Sequence, residues 1–109
     1  MSRFALDDLE RCREQIDELD RRLLEILNQR TGIVEEIGRI KQELRLAIYE
    51  PKREDQVFAN VVGQNRGPLT HDAVKRIFER IIDEMRTVQK TKMLDQNSSE
   101  RQANTNAER

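Results

Sequence analysis

Apolar residues recur in alternating steps of four and three along the first part of the chain: Leu9, Ile16, Leu23, Leu27, Val34, Ile37 and Leu44 fall on one helical face. Residues 6–46 contain no proline, and their only glycines are Gly32 and Gly38. The spacing predicts one helix of about forty residues. At about 1.5 Å per residue it would be roughly 60 Å long, whereas a compact domain of this size is about 35 Å across, so a lone chain cannot cover it. Residues 47–50 break the pattern, and Pro51 suits the first position of a second helix, with Glu54 and Asp55 in its first turn and an end near Val62. Gly63, Asn65, Gly67 and Pro68 mark a turn. Thr70 can then cap a third helix whose inner face is Val74, Ile77, Phe78, Ile81, Ile82, Met85, Val88 and Gln89. The expected fold is all-α, with one very long N-terminal helix, a short middle helix and a C-terminal helix. Residues 1–93 form the expected domain. Residues 94–109 are so polar that a disordered tail is expected there.

The same seam is interrupted by charge. Arg13, Asp20, Arg30 and Lys41 occupy positions where the four-three pattern calls for apolar side chains. An inward cation needs a compensating anion, because a buried charge without a partner is costly. On an ideal helix Arg30 and Lys41 lie about 20° apart in azimuth and roughly 16 Å apart along the axis, so two long side chains can converge on one small anion. Arg13 is roughly 25 Å before Arg30 and about 100° around the helix, so it is either structural or serves a second subunit. Crossed long helices in a dimer would satisfy both the helix length and Arg13, and would create two symmetric sites. Gln89 ends a seam on the third helix, and Glu54 shares a face with Val57, Phe58 and Val61, with Arg53 beside it. Each polar residue alone is equally compatible with setting helix register or snorkelling to the surface. Asp20 is assigned a structural role. Together, three helices contribute inward polar groups in which cations outnumber acids, a combination suited to a dicarboxylate or a phosphate.

Composition narrows the chemistry. The 109 residues are 38% charged and 36% hydrophobic, consistent with one small domain and a thin core, and twenty basic against twenty-one acidic residues leave no global field for nucleic acid. No signal peptide or membrane span is visible, and a soluble cytoplasmic protein is expected. Cys12 is the single cysteine and His71 the single histidine, so no disulfide within the chain and no zinc spacing is expected. Cys12 is expected in or near the core, and His71 at a solvated helix start. With no phosphate loop and no nucleophile beside a histidine base, the pattern suits binding, or electrostatic catalysis of a unimolecular reaction.

Residues 13–20, Arg-Glu-Gln-Ile-Asp-Glu-Leu-Asp, followed by Leu23-Leu24, Leu27, Arg30 and Gly38-Arg39-Ile40-Lys41, resemble the first helix of the all-helical class of chorismate mutase. The resemblance continues through Pro51-Lys52-Arg53-Glu54, Ile77-Phe78, Ile81-Ile82 and Gln89, covering about residues 6–92. It implies an intertwined homodimer that rearranges chorismate to prephenate for phenylalanine and tyrosine biosynthesis, with no cofactor. By position, Arg13 is the arginine given to the partner's site, and Arg30 binds the substrate carboxylates with it. Lys41 and Gln89 resemble the donors to the breaking ether oxygen. Glu54 resembles the acceptor of the ring hydroxyl, with the backbone at Glu50 beside it, and Arg53 a further cation lining the pocket. Two positions depart from the pattern: Glu50 stands where aspartate is common, and Met85 where some members carry a hydroxyl residue that touches a carboxylate. An isochorismate pyruvate lyase shares much of this pocket, although Glu54 favours the mutase. A non-catalytic helical dimerisation or regulatory module is the alternative of another class.

Overall fold

A computed structural model describes the backbone of residues 2–107 and the side chains of residues 4–94. Three helices follow one another: α1 (Ser2–Glu43), α2 (Pro51–Gln64) and α3 (His71–Ala107), with no strand among the described residues. The chain divides into two units, Met1–Ile33 and Val34–Arg109.

The first unit is the leading part of α1. Its helix is supported by a ladder of exposed ion pairs between neighbouring turns: Arg11 with Asp8, Arg21 with Glu18 and Glu25, and Arg22 with Glu18. Such pairs contribute about 0.3–0.5 kcal/mol each. None of its described residues is buried. Leu9, Ile16 and Leu23, three members of the apolar seam, are 46%, 56% and 53% exposed in the single chain. Cys12, expected in or near the core, is exposed for the same reason: nothing in this unit packs over the helix.

The second unit holds what core there is. Val74, Ile82 and Met85 of α3 are its buried apolar side chains, joined by two buried polar ones, Lys41 and Gln89. α2 packs against α3. The final turns of α1 meet α3 through Gly38, where a Cβ would stand 3.3 Å from Gln89 Cγ, and through an ion pair of 3.4 Å between Lys92 and Glu35. Ile77, expected on the inner face of α3, is 46% exposed. Further along α1, Arg39 bonds Glu36, and that hydrogen bond together with the arginine's charge holds the exposed Glu36 carboxyl below its usual range.

Helix ends follow local chemistry. α1 stops three residues before the expected Leu46, in a Schellman arrangement: Leu46 N–H donates to Lys41 C=O at 2.8 Å and Arg45 N–H to Gln42 C=O at 3.2 Å. Arg45 takes the left-handed position, φ 57°, usually filled by glycine. Glu50 precedes α2 without capping it by its side chain, and Pro51 opens the helix. The α2–α3 connection is organised by Asn65, which donates to Leu69 C=O at 2.8 Å and accepts from Gly67 N–H at 3.1 Å. Gly67, at φ 78°, supplies the positive dihedral that this turn needs. Thr70 caps α3 as expected, its hydroxyl accepting from Ala73 N–H at 3.1 Å. With no glycine or proline after Pro68, α3 runs through the segment expected as a tail, to Ala107; the side chains of residues 95–109 lie outside the described residues.

Candidate active site

The turn that ends α1 also builds the centre of the site. Reversing the chain at Arg45 brings residues 48–50 back alongside the last turn of the helix, where Lys41 stands. Its backbone carbonyl accepts from Leu46, while its ammonium donates to Ile48 C=O at 3.0 Å and pairs with Glu50 at 2.5 Å. The Lys41 side chain is 11% exposed and that of Glu50 51%, so the ammonium is enclosed and its counter-ion reaches in from solvent. The anion that the inward lysine requires thus comes first from the α1–α2 connection. It also explains why Glu50 leaves α2 uncapped: its carboxylate is engaged by Lys41.

Gln89 is buried on α3, and its amide Nε2 donates to Val34 C=O on α1 at 3.2 Å. This contact depends on Gly38, whose missing side chain lets the glutamine lie against the helix. Both buried polar groups keep donor capacity beyond these contacts. An ammonium has three N–H groups, of which Lys41 uses two, and an amide nitrogen has two, of which Gln89 uses one.

Glu54, in the first turn of α2, is drawn inward as its face predicted, with a side chain 16% exposed. Its partner is Arg86 of α3, at 2.6 Å, a residue that sequence reasoning passed over. Arg86 lies four residues after Ile82 and three before Gln89, and that helical spacing was the available signal. Its guanidinium also sits over the Tyr49 ring, 5.3 Å from the centroid. Tyr49, Pro51, Glu54, Asp55, Phe58, Glu79, Ile82 and Arg86 line a cleft of about 260 Å³. Met85, next to Arg86, is buried at 9% exposure.

Arg53 is exposed, with its guanidinium 3.4 Å from Gln56 Oε1 on its own helix. Arg30 is half-buried and Arg13 exposed, both in the Met1–Ile33 unit. Arg13 lies 3.9 Å from Glu10, a contact within its own helix. His71, at the start of α3, is exposed with Nδ1 3.3 Å from the Asn65 amide. Within the second unit Lys41 pairs with Glu50, Gln89 lies against Val34 and Gly38, and Glu54 meets Arg86, with Met85 buried on α3.

The family model for chorismate mutase type II matches residues 12–90, a span that contains every one of these positions. The chain belongs to the type II chorismate mutase family. Among curated relatives, the bifunctional chorismate mutase/prephenate dehydratase of Aquifex aeolicus (strain VF5) is 29% identical over 89 residues, 78% of this chain and 25% of that protein. The bifunctional chorismate mutase/prephenate dehydratase of Pseudomonas aeruginosa is 32% identical over 81 residues, 70% of this chain and 22% of that protein. The chain spans about a quarter of the length of these relatives. The structure of chorismate mutase (form II) from Thermus thermophilus aligns with a TM-score of 0.74 at 30% identity, covering 75% of this chain and 93% of that one. No described helix is long and apolar enough to cross a membrane.

Proposed function

We propose that the protein converts chorismate to prephenate by a Claisen rearrangement, acting in the cytoplasm as an intertwined homodimer whose domain is residues 1–93. The observation that carries this reading is the pair of buried, anchored donors, Lys41 and Gln89, in a chain of the type II chorismate mutase family. As the ether bond stretches, negative charge develops on its oxygen. The third N–H of Lys41 and the second of Gln89 meet that charge. Both groups are already held by backbone carbonyls and Glu50, so little reorganisation accompanies the reaction. Glu54 accepts the ring hydroxyl, the Glu50 backbone lies beside it, and Arg53 lines the approach. Met85 offers an apolar wall where a hydroxyl residue would otherwise touch a carboxylate.

Arg30 and the partner's Arg13 bind the two carboxylates and hold the enolpyruvyl arm folded over the ring before the chemical step. A second copy as the cover of the first unit is supported by the exposure of its apolar seam and by the placing of Arg13 on an exposed helix turn. Purified protein should remove the ultraviolet absorbance of chorismate and form prephenate. Release of pyruvate from isochorismate with chorismate left unchanged would replace this reading with a lyase. Mixed dimers of Arg13→Ala and Lys41→Ala chains should recover activity above either parent, because one pocket of each heterodimer is then intact.

A further inference from the structure

Arg86 is not one of the residues assigned above to substrate or to the breaking bond, yet it occupies the wall of the cleft between α2 and α3. One amine of its guanidinium donates to Glu54 Oε1 at 2.6 Å, and its face lies over Tyr49. Its Nε is buried without a hydrogen-bond partner. A residue retained only for packing would do better as an apolar side chain, since a half-buried guanidinium with an unmet donor is costly to desolvate. The arrangement makes sense if the position of the Glu54 carboxylate matters. Glu54 stands in the first turn of α2, where an unheld side chain has several rotamers. Arg86 fixes one oxygen and leaves Oε2 as the acceptor for a ligand in the cleft. Tyr49 in turn limits where the guanidinium plane can lie.

We propose that Arg86 is a positioning residue: it holds Glu54 ready for the substrate's ring hydroxyl and thereby makes the enzyme discriminate for a hydroxylated ring. The proposal rests on the chorismate reading given above. It is tested with the full chain by comparing chorismate with its analogue in which hydrogen replaces the ring hydroxyl, for the unaltered protein, Arg86→Met and Arg86→Lys. Arg86→Met should lower kcat/KM for chorismate about a hundredfold, the scale of a misplaced binding group. Turnover of the hydrogen analogue should stay within about twofold, because it makes no demand on Glu54. Arg86→Lys should recover part of the loss, since it keeps a charge beside Glu54 without the planar fork.

Equal losses on both substrates, or no loss on chorismate, would overturn the role. Should Arg86→Met fail to fold, Glu54→Gln supplies the second route. In that background Arg86→Lys should have no further effect on chorismate turnover, and an undiminished effect would also overturn the proposal. If the unaltered protein turns over neither compound, the chorismate reading itself fails; turnover of both without the expected discrimination in Arg86→Met removes only Arg86.

Discussion

The two units of the chain handle the same kind of amphipathic helix in opposite ways. In Met1–Ile33, polar side chains pair one turn along the helix and the apolar seam is left open. From Val34 onward, all the buried described residues are found, and besides pairs along one helix, such as Arg39 with Glu36, polar groups pair across elements: Gln89 with Val34, Arg86 with Glu54, Lys92 with Glu35. The first unit is helical by propensity and charge ladder, the second by packing. An isolated amphipathic helix is marginal in water because its apolar face gains nothing there. The contrast teaches that the apolar seam of the leading part of α1 is left without cover in the single chain, whereas Lys41, Glu54 and Gln89 find partners within the second unit.

The sharpest way to break the contrast is at Lys41. Lys41→Met should leave the helical circular-dichroism signal and melting transition nearly unchanged, because the exposed Glu50 returns to water and methionine packs where the stem lay. Chorismate turnover should fall by about a hundred- to a thousandfold, roughly 3–4 kcal/mol of transition-state stabilisation. A variant that kept its activity would leave Lys41 as a packing residue.

Leu23 tests the other unit. On an uncovered surface Leu23→Ala would change stability by no more than about 0.5 kcal/mol. Covered by a second copy, it should destabilise the assembly by about 2–3 kcal/mol and make dissociation measurable by sedimentation at lower protein concentration. A melting curve and sedimentation profile identical to those of the unaltered protein would show that the seam is not an interface.

Gly38 probes how closely the second unit is fitted. A Cβ at this position meets Gln89 Cγ at 3.3 Å, so Gly38→Ala should push the amide a few tenths of an ångström and disturb its bond to Val34. About a tenfold loss in kcat/KM is expected, with only a small change in melting temperature. Unaltered kinetics would show that Gln89 has room to move without cost.

The smallest effect is expected at the helix end that brings the loop back to Lys41. Arg45 holds a left-handed conformation that costs a non-glycine residue about 1–2 kcal/mol. Arg45→Gly relieves that cost but gives the unfolded chain more freedom, so a net stabilisation of up to about 1 kcal/mol is expected in denaturant unfolding. Destabilisation would mean that the arginine side chain contributes more than its backbone strain removes.

Much of this architecture is legible residue by residue. Pro51 and Thr70 mark helix starts, the four-three seam marks α1, and Lys41, Glu54 and Gln89 stand out as polar groups on apolar faces. These are signals read within one or two helical turns. The early stop of α1 was less visible, because a Schellman end built on arginine lacks the glycine that usually announces it. Arg86 was passed over because an arginine on a highly charged helix resembles any solvated cation until its partner is known. That partner is 32 residues away. The exposure of Cys12 and Ile77 was missed for a related reason: periodicity tells which side chains share a face, not what covers it.

The amino-acid order by itself determined three helices, the starts of α2 and α3 and the faces on which the unusual polar groups lie, since those features depend on neighbours three or four residues apart. Tertiary structure decided which partner each group meets. Lys41 finds Ile48 and Glu50 only because the α1–α2 turn reverses the chain. Glu54 meets Arg86, and Gln89 meets Val34 across 55 residues, only through the register in which the helices pack. A local pattern can place a charge on an inner face, but its counter-ion depends on distances that no helical repeat contains.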